Sequence, residues 1–257
     1  MNERVNYNQI SPVYNSRYKQ NPLTGIRAHL EKLYNEFLPR NILEVGCGTG
    51  HWLNIFPKNN SILYGADFSL GMLGQAKIEV DRTSYINADA NFLPIKNNSI
   101  ELIYVVNAIH HFLRPLDFIK DASKLISTGG HVCIVGIEIE ESVNQWYMYD
   151  YFEKTLEIDR NRFPSFNELE VEMIASGFTN ISKILVEQVK NSIPGSNILN
   201  DHFLDKKGAS QLALLTDEEY QNGINKIKQD IQKAKQENNK IYFNTNLNFY
   251  AITGVKL

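Results

Sequence analysis

LEVGCGTGHW, residues 43–52, carries three glycines on alternate positions directly after a short apolar run. Glycine at a strand-to-helix turn reaches positive φ without penalty and lets the backbone approach a ligand closely. A dinucleotide fingerprint reads Gly-x-Gly-x-x-Gly, with the pyrophosphate on the helix N-terminus. Here the spacing is Gly46-x-Gly48-x-Gly50, position 51 is His, and Glu44 stands two residues before the first glycine. A carboxylate at that spot suits a cationic amine better than a pyrophosphate.

Outward from this turn, strand and helix patterns alternate. Residues 24–38 (TGIRAHLEKLYNEFL) place Ile26, Leu30, Leu33 and Phe37 at helical spacing before Pro39. NILEV (41–45) reads as a buried strand, and GHWLNIF (50–56) as a return to helix. SILYGAD (61–67), TSYINADA (83–90), IELIYVVNAI (100–109) and HVCIVGI (131–137) read as further strands. Between them, SLGMLGQAKIEV (69–80) has Ser69 as N-cap, and PLDFIKDASKLI (115–126) has Pro115 in its first turn. Five such alternations imply an α/β, doubly wound, Rossmann-like sheet. It is expected to be mostly parallel, with an antiparallel last strand at 246–257.

Beyond residue 138 the pattern loosens. Residues 141–163 read as helical and crowded with aromatics. Residues 165–178 form a helix with a Ser165/Glu168 capping box, and 181–189 a strand. Residues 217–236 carry Ile224, Ile227 and Ile231 on one helical face. The expected organisation is a single domain over 1–257. It has an N-terminal helical cap (1–38), a cofactor-binding core (40–140) and helical substrate-lid insertions at 141–163 and 190–240.

Two further acids fall where ligands bind in open α/β sheets. Asp67 ends strand two, where its carboxylate can accept both hydroxyls of a ribose. Asp89 follows strand three, where an acceptor can take the exocyclic amine of an adenine. With LEVGCGTG, YGADFSLGML, NADANFLPIKNNSIELIYVVNAIHHF and LISTGGHVCIVG in this order, the chain resembles a class I S-adenosylmethionine (SAM)-dependent methyltransferase over about residues 40–140. The opening YNQISPVYN (7–15) also resembles the Tyr-Asp lead-in of quinone-biosynthesis-like, small-molecule methyltransferases, with Asn at both Asp positions.

The resemblance implies roles residue by residue. Glu44, Gly46 and Gly48 would hold the methionine end of SAM, with Cys47 in the same loop. Asp67 would bind the ribose, Phe68 and Met72 would lie beside the adenosine, and Asp89 and Ala90 would contact the adenine. Asn107 would lie under the methionine portion through its backbone, and Tyr14 with Tyr18 would close the pocket. His110 and His111 follow strand four, where acceptors sit, and are the candidate catalytic pair for proton transfer or acceptor orientation. Trp146, Tyr147 and Tyr149 are candidate substrate contacts, and Arg160, Arg162 and His202 candidate partners of a substrate carboxylate.

Composition narrows the class. The chain has 257 residues, a formal net charge of -3 and 43% hydrophobic residues. That leaves no global basic field for a nucleic acid and provides a sizeable core. Two distant cysteines, Cys47 and Cys133, argue against a metal site or disulfide scaffold. No apolar run reaches membrane-span length and the N-terminus lacks a signal-peptide core, so the expectation is a cytoplasmic protein with no membrane span. No Asn/Asp-Pro-Pro-Tyr follows strand four and no cysteine sits at a covalent-attack position. The resulting expectation is methyl transfer to an O, N or C atom of a small molecule or peptide terminus, in a protein compatible with a homo-oligomer. The alternatives are a non-catalytic SAM-binding subunit and an NAD-dependent oxidoreductase.

Overall fold

The computed structural model describes the chain except residues 1–6, 10, 12–13, 16–17, 19–20 and 58–59, and the side chains of Gln9 and His202. Seven strands form one sheet in the order β3-β2-β1-β4-β5-β7-β6. They are β1 Asn41–Val45, β2 Ile62–Asp67, β3 Ser84–Asn87, β4 Ile100–Val106, β5 Ile126–Ile137, β6 Phe178–Pro194 and β7 Tyr242–Lys256. Strands β1 to β5 pair in parallel, and β7 pairs antiparallel with β5, His131 opposite Val255. The helices named below are α1 Thr24–Phe37, α2 Leu70–Glu79, α3 Pro115–Leu125, α4 Tyr147–Tyr151, α5 Lys154–Arg162, α6 Phe166–Ala175 and α7 Asp217–Gln236.

β1 and β4 are buried along nearly their whole length, as strands covered on both faces should be. Their apolar side chains pack with Phe118, Ile119 and Ala122 of α3 and with Phe166, Leu169 and Met173 of α6 in one core. Local codes are honoured where they were legible. The Ser69 side chain accepts the N–H of Met72, and the Ser165/Glu168 capping box is formed. α7 begins at a second capping box, Thr216 with Glu219. α1 has no cap of its own, because Leu23 is left-handed and lacks a side-chain acceptor. The Gly25 N–H donates instead to Glu187 Oε2 of β6 at 2.7 Å.

Three expectations shift. The helix expected at 50–56 shrinks to a 3-10 turn, Leu53–Ile55, because Phe56 is extended ahead of Pro57. The single helical stretch expected at 141–163 is broken, with Trp146 and Phe152 in non-helical conformations at the two ends of α4. β6 and β7 run longer than expected, from 178 and 242.

The chain divides into two compact units. Among the described residues, one holds those from Tyr7 to Ile137 with Pro164–Glu187 and Phe249–Leu257; the other holds Glu138–Phe163 and Gln188–Asn248. The second unit has a core of its own. Tyr147, Met148 and Phe152 pack with Ile198, Leu212, Ile227 and Phe243.

Candidate functional site

The site in the first unit lies at the carboxyl ends of β1, β2, β3 and β4. Gly46, Gly48 and Gly50 all have positive φ, at 72°, 52° and 78°. Each glycine has a different reason. A Cβ on Gly46 would sit 2.5 Å from the Ala108 Cβ, so glycine lets the turn after β4 dock on this loop. A Cβ on Gly50 would meet Tyr85 and Ala76 at 3.2 and 3.3 Å. At Gly48 the nearest atom is Tyr14 Cε1, at 4.0 Å, so the loop is open there except for that ring.

Four of the loop's N–H groups are already engaged. Those of Gly46 and Cys47 both donate to the Ala66 carbonyl, at 2.8 and 3.0 Å, and that of Gly50 to the Cys47 carbonyl. The Gly48 N–H donates to Asp67 Oδ2 and the Ser69 N–H to Asp67 Oδ1, both at 2.8 Å. Burial raises the Asp67 carboxyl above its ordinary value, and these backbone donors oppose the rise. Phe68 next to it is 66% exposed. Met72 and Ala90 are buried. Asp89 Oδ1 accepts the Asn91 N–H at 3.0 Å, closing a turn.

Glu44 is 1% exposed and accepts the Tyr104 hydroxyl at 3.1 Å. Burial drives its carboxyl well above the usual range. The Tyr104 bond opposes that rise and Asp67 adds to it. Cys47 is buried and its thiol is likewise pushed up by burial first. Asn107 is left-handed, at φ 49°, with its N–H on the Val135 carbonyl.

After Asn107 comes the turn Ile109–His111. His110 is buried, and the His110 and His111 rings lie 3.9 Å apart. His111 Nε2 and the Tyr7 hydroxyl are 2.7 Å apart. From there an aromatic series runs to the glycine loop: Tyr7 with His111, Tyr14 with Tyr7, Tyr18 with Tyr14, and Tyr18 stacked on His51 at 3.7 Å. His51 is held neutral, its pKa lowered to about 4 by burial and then by Arg27. Tyr7, within the YNQISPVYN stretch, joins the candidates through this contact with His111, which lies 104 positions away in the chain.

Trp146, Tyr147 and Tyr149 lie in the second unit, where Tyr147 and Tyr149 are buried. The Tyr147 hydroxyl donates to Asp201 Oδ2 at 3.1 Å and that of Tyr149 to Asp159 Oδ2 at 3.0 Å. Burial and these carboxylates raise both phenols. Arg162 pairs with the buried Asp159 at 2.6 Å, and Arg160 grips Glu140 through two 2.7 Å bonds. Both arginines are thus engaged by acids of their own unit. Among the described residues no cluster of three or more His, Cys, Asp or Glu is suited to a metal ion, and no helix is long and apolar enough to cross a membrane.

Comparison with known proteins bears on the family and the fold. Residues 43–134 match the methyltransferase domain family. Over 170 residues the chain is 31% identical to a malonyl-[acyl-carrier protein] O-methyltransferase of Marinomonas sp. (strain MWYL1), covering 60% of this chain and 62% of that protein. Over 145 residues it is 23% identical to the ubiquinone/menaquinone biosynthesis C-methyltransferase UbiE of Campylobacter jejuni (strain 81116 / NCTC 11828), covering 50% and 60%. The chain therefore spans less than two thirds of the length of these relatives. In fold it resembles a methyltransferase assigned to an antibiotic biosynthesis pathway of Anabaena variabilis, with TM-score 0.62, 18% identity and coverage of 90% and 97%.

Proposed function

We propose, from the premise that this chain belongs to the class I S-adenosylmethionine-dependent methyltransferases, that it moves a methyl group to an O, N or C atom of a small molecule. The observation that carries this reading is the commitment of the glycine-loop N–H groups. A pyrophosphate needs such donors pointing at it. Here Gly46, Cys47, Gly48 and Gly50 have spent theirs on Ala66, Asp67 and Cys47. The neighbouring Asp67 carboxylate would repel a phosphate and suits ribose hydroxyls.

When bound, SAM supplies an electrophilic methyl on a sulfonium. The methionine end is assigned to Gly46, Cys47 and Gly48, with Asn107 contributing its backbone; Glu44, buried against the Tyr104 hydroxyl, is assigned to act on it through that loop rather than by direct contact. The Tyr14 ring, whose Cε1 lies 4.0 Å from where a Gly48 Cβ would stand, is the aromatic group assigned to the sulfonium. Asp67 is assigned to the ribose, and Phe68, Met72, Asp89 and Ala90 to the adenosine. Tyr18, stacked on His51, holds the closing segment. An acceptor that starts as a hydroxyl or ammonium must lose a proton, and His111, hydrogen-bonded to Tyr7, is the group assigned to take it or to orient the acceptor. The His110 ring lies 3.9 Å from that of His111 and is assigned to the same acceptor-side role. Because the Tyr147 and Tyr149 hydroxyls are committed to aspartates, any acceptor contact they and Trp146 make is assigned to ring faces.

The names of the relatives make carboxylates and quinol-like rings the first acceptor classes to test. Calorimetric titration with SAM, S-adenosylhomocysteine (SAH) and NAD is the first experiment. Saturable binding of the first two and none of NAD is expected; binding of NAD alone would replace this reading with a dehydrogenase. Labelled-methyl transfer to a panel of carboxylates, phenols and amines then tests turnover. With a protonated acceptor, His111→Ala is expected to lower kcat about 10²-fold or more with unchanged SAH affinity.

A further inference from the structure

Asn8 and Asn15 touch the loops after β2 and β1 through polar groups, beside the ring contacts of Tyr7, Tyr14 and Tyr18. Asn8 Oδ1 accepts two hydrogen bonds at 2.8 Å, one from the Ser69 hydroxyl and one from the Gly71 N–H. Ser69 is the N-cap of α2. Its Oγ accepts the Met72 N–H, and its own N–H donates to Asp67 Oδ1. A chain of contacts therefore runs from Asn8 through Ser69 to Asp67. Gly71 completes the fit, since a Cβ there would sit 3.0 Å from the Asn8 Cα and 3.1 Å from its Oδ1. The glycine makes room for this side chain in the first turn of a helix, where a Cβ is otherwise favoured.

Two donors converge on one oxygen, so position 8 needs an acceptor, which Asn and Asp both supply. Asn15 has a different requirement. Its Oδ1 accepts the Thr49 hydroxyl beside the glycine loop, and its Nδ2 donates to Glu79 Oε1 at 3.4 Å. That position needs a donor as well, and a carboxylate there would face Glu79.

We propose that Asn8 is a positioning residue for cofactor binding: by holding Ser69 it sets the Asp67 carboxylate for the ribose. The proposal rests on the assignment of Asp67 made above. Asn8 touches no reacting atom and acts through Ser69. Its loss leaves the Ser69 hydroxyl free to rotate and the Gly71 N–H to water, which loosens the Asp67 turn without removing the acid.

The test is calorimetric titration of the full chain with SAH, for the wild type, Asn8→Ala, Asn8→Asp, Asp67→Ala and Asn8→Ala/Asp67→Ala. Asn8→Ala is expected to bind at least fivefold more weakly. Asn8→Asp, which keeps the acceptor, is expected within twofold of the wild type. The double variant is expected within twofold of Asp67→Ala alone, because the effect of Asn8 is exerted through Asp67. A further readout is SAH against its 2′,3′-dideoxy analogue: preference for the intact ribose is expected to shrink in Asn8→Ala. Wild-type affinity in Asn8→Ala overturns the proposal, as do a loss shared by Asn8→Asp, an unchanged ribose preference, or losses that multiply in the double variant. If the wild type binds no SAH, the cofactor assignment itself falls and takes this relay with it.

Discussion

The two units use their polar side chains in opposite ways. In the second, the hydroxyls of Tyr147, Tyr149 and Tyr151 end on Asp201, Asp159 and Asp230, and Arg162 closes on Asp159. These hydroxyls and carboxylates satisfy each other, as buried polar groups generally must, although the Arg162 Nε and Asn246 Oδ1 of the same unit are buried without a partner among the described residues. In the first unit, both Asp67 oxygens accept backbone N–H bonds. A carboxylate has about four acceptor sites, so capacity is left for a ligand, and Phe68 beside it is exposed. Self-satisfied polar groups build structure, whereas an acid held by the backbone with capacity to spare has room to take a ligand.

The strongest way to break this contrast is to add one methyl group in each unit. Gly46→Ala combines a positive φ with a 2.5 Å approach to Ala108. It is expected to cost about 2–4 kcal/mol of stability and to abolish SAH binding. Gly223→Ala places its Cβ 2.3 Å from Phe152 in the second unit. It is expected to lower the thermal midpoint comparably while the folded protein still binds SAH. Denaturant melts and calorimetry on both variants decide this, and loss of SAH affinity in folded Gly223→Ala would erase the distinction.

Asp67→Ala sharpens the contrast from the ligand side. It is expected to weaken SAH binding by about 1–3 kcal/mol through lost hydrogen bonds to a charged group, and to cost about 1 kcal/mol of stability because the Gly48 and Ser69 N–H groups lose their acceptor. Unchanged affinity would sink the ribose assignment. Tyr149→Phe is its counterpart in the second unit. Removing the hydroxyl deprives buried Asp159 of a donor and is expected to cost about 1–2 kcal/mol of stability, with SAH affinity intact.

The smallest expected effect is a slope. Glu44 has its carboxyl pKa raised well above 4.5 by burial, so the folded protein binds a proton more tightly than the unfolded chain. The stability this group contributes is full below pH 4.5 and falls as pH rises through the raised value. Glu44→Gln keeps an acceptor for Tyr104 and removes the titration. Its melting temperature is expected to decline less than that of the wild type from pH 5 to pH 8. Parallel declines would show that Glu44 ionises elsewhere than in this buried position.

Much of the first unit was legible because its codes are local. The glycine spacing, Ser69 at the start of α2 and the Ser165/Glu168 box act over one to four residues. The buried strands announced themselves as apolar runs. The same codes misjudged residues 50–56, where Pro57 was given too little weight against the apolar spacing before it. In the second unit, WYMYDYF reads as an aromatic run whose destination no local rule specifies.

By itself, the sequence determined the strand and helix alternation, the turn that must be glycine, and the acids at the ends of β1 and β2. Each depends on backbone geometry within a few residues. Only the tertiary structure decided that Glu44 faces Tyr104 inside the core while Asp67 is held at the rim. It also decided that Asn8 reaches Ser69 across 61 positions and that Tyr149 ends on Asp159. The β3-β2-β1-β4 order brings distant strand ends side by side. Which polar atom meets which is then settled by packing at those ends, where an unpaired buried group is penalised and a paired one is kept.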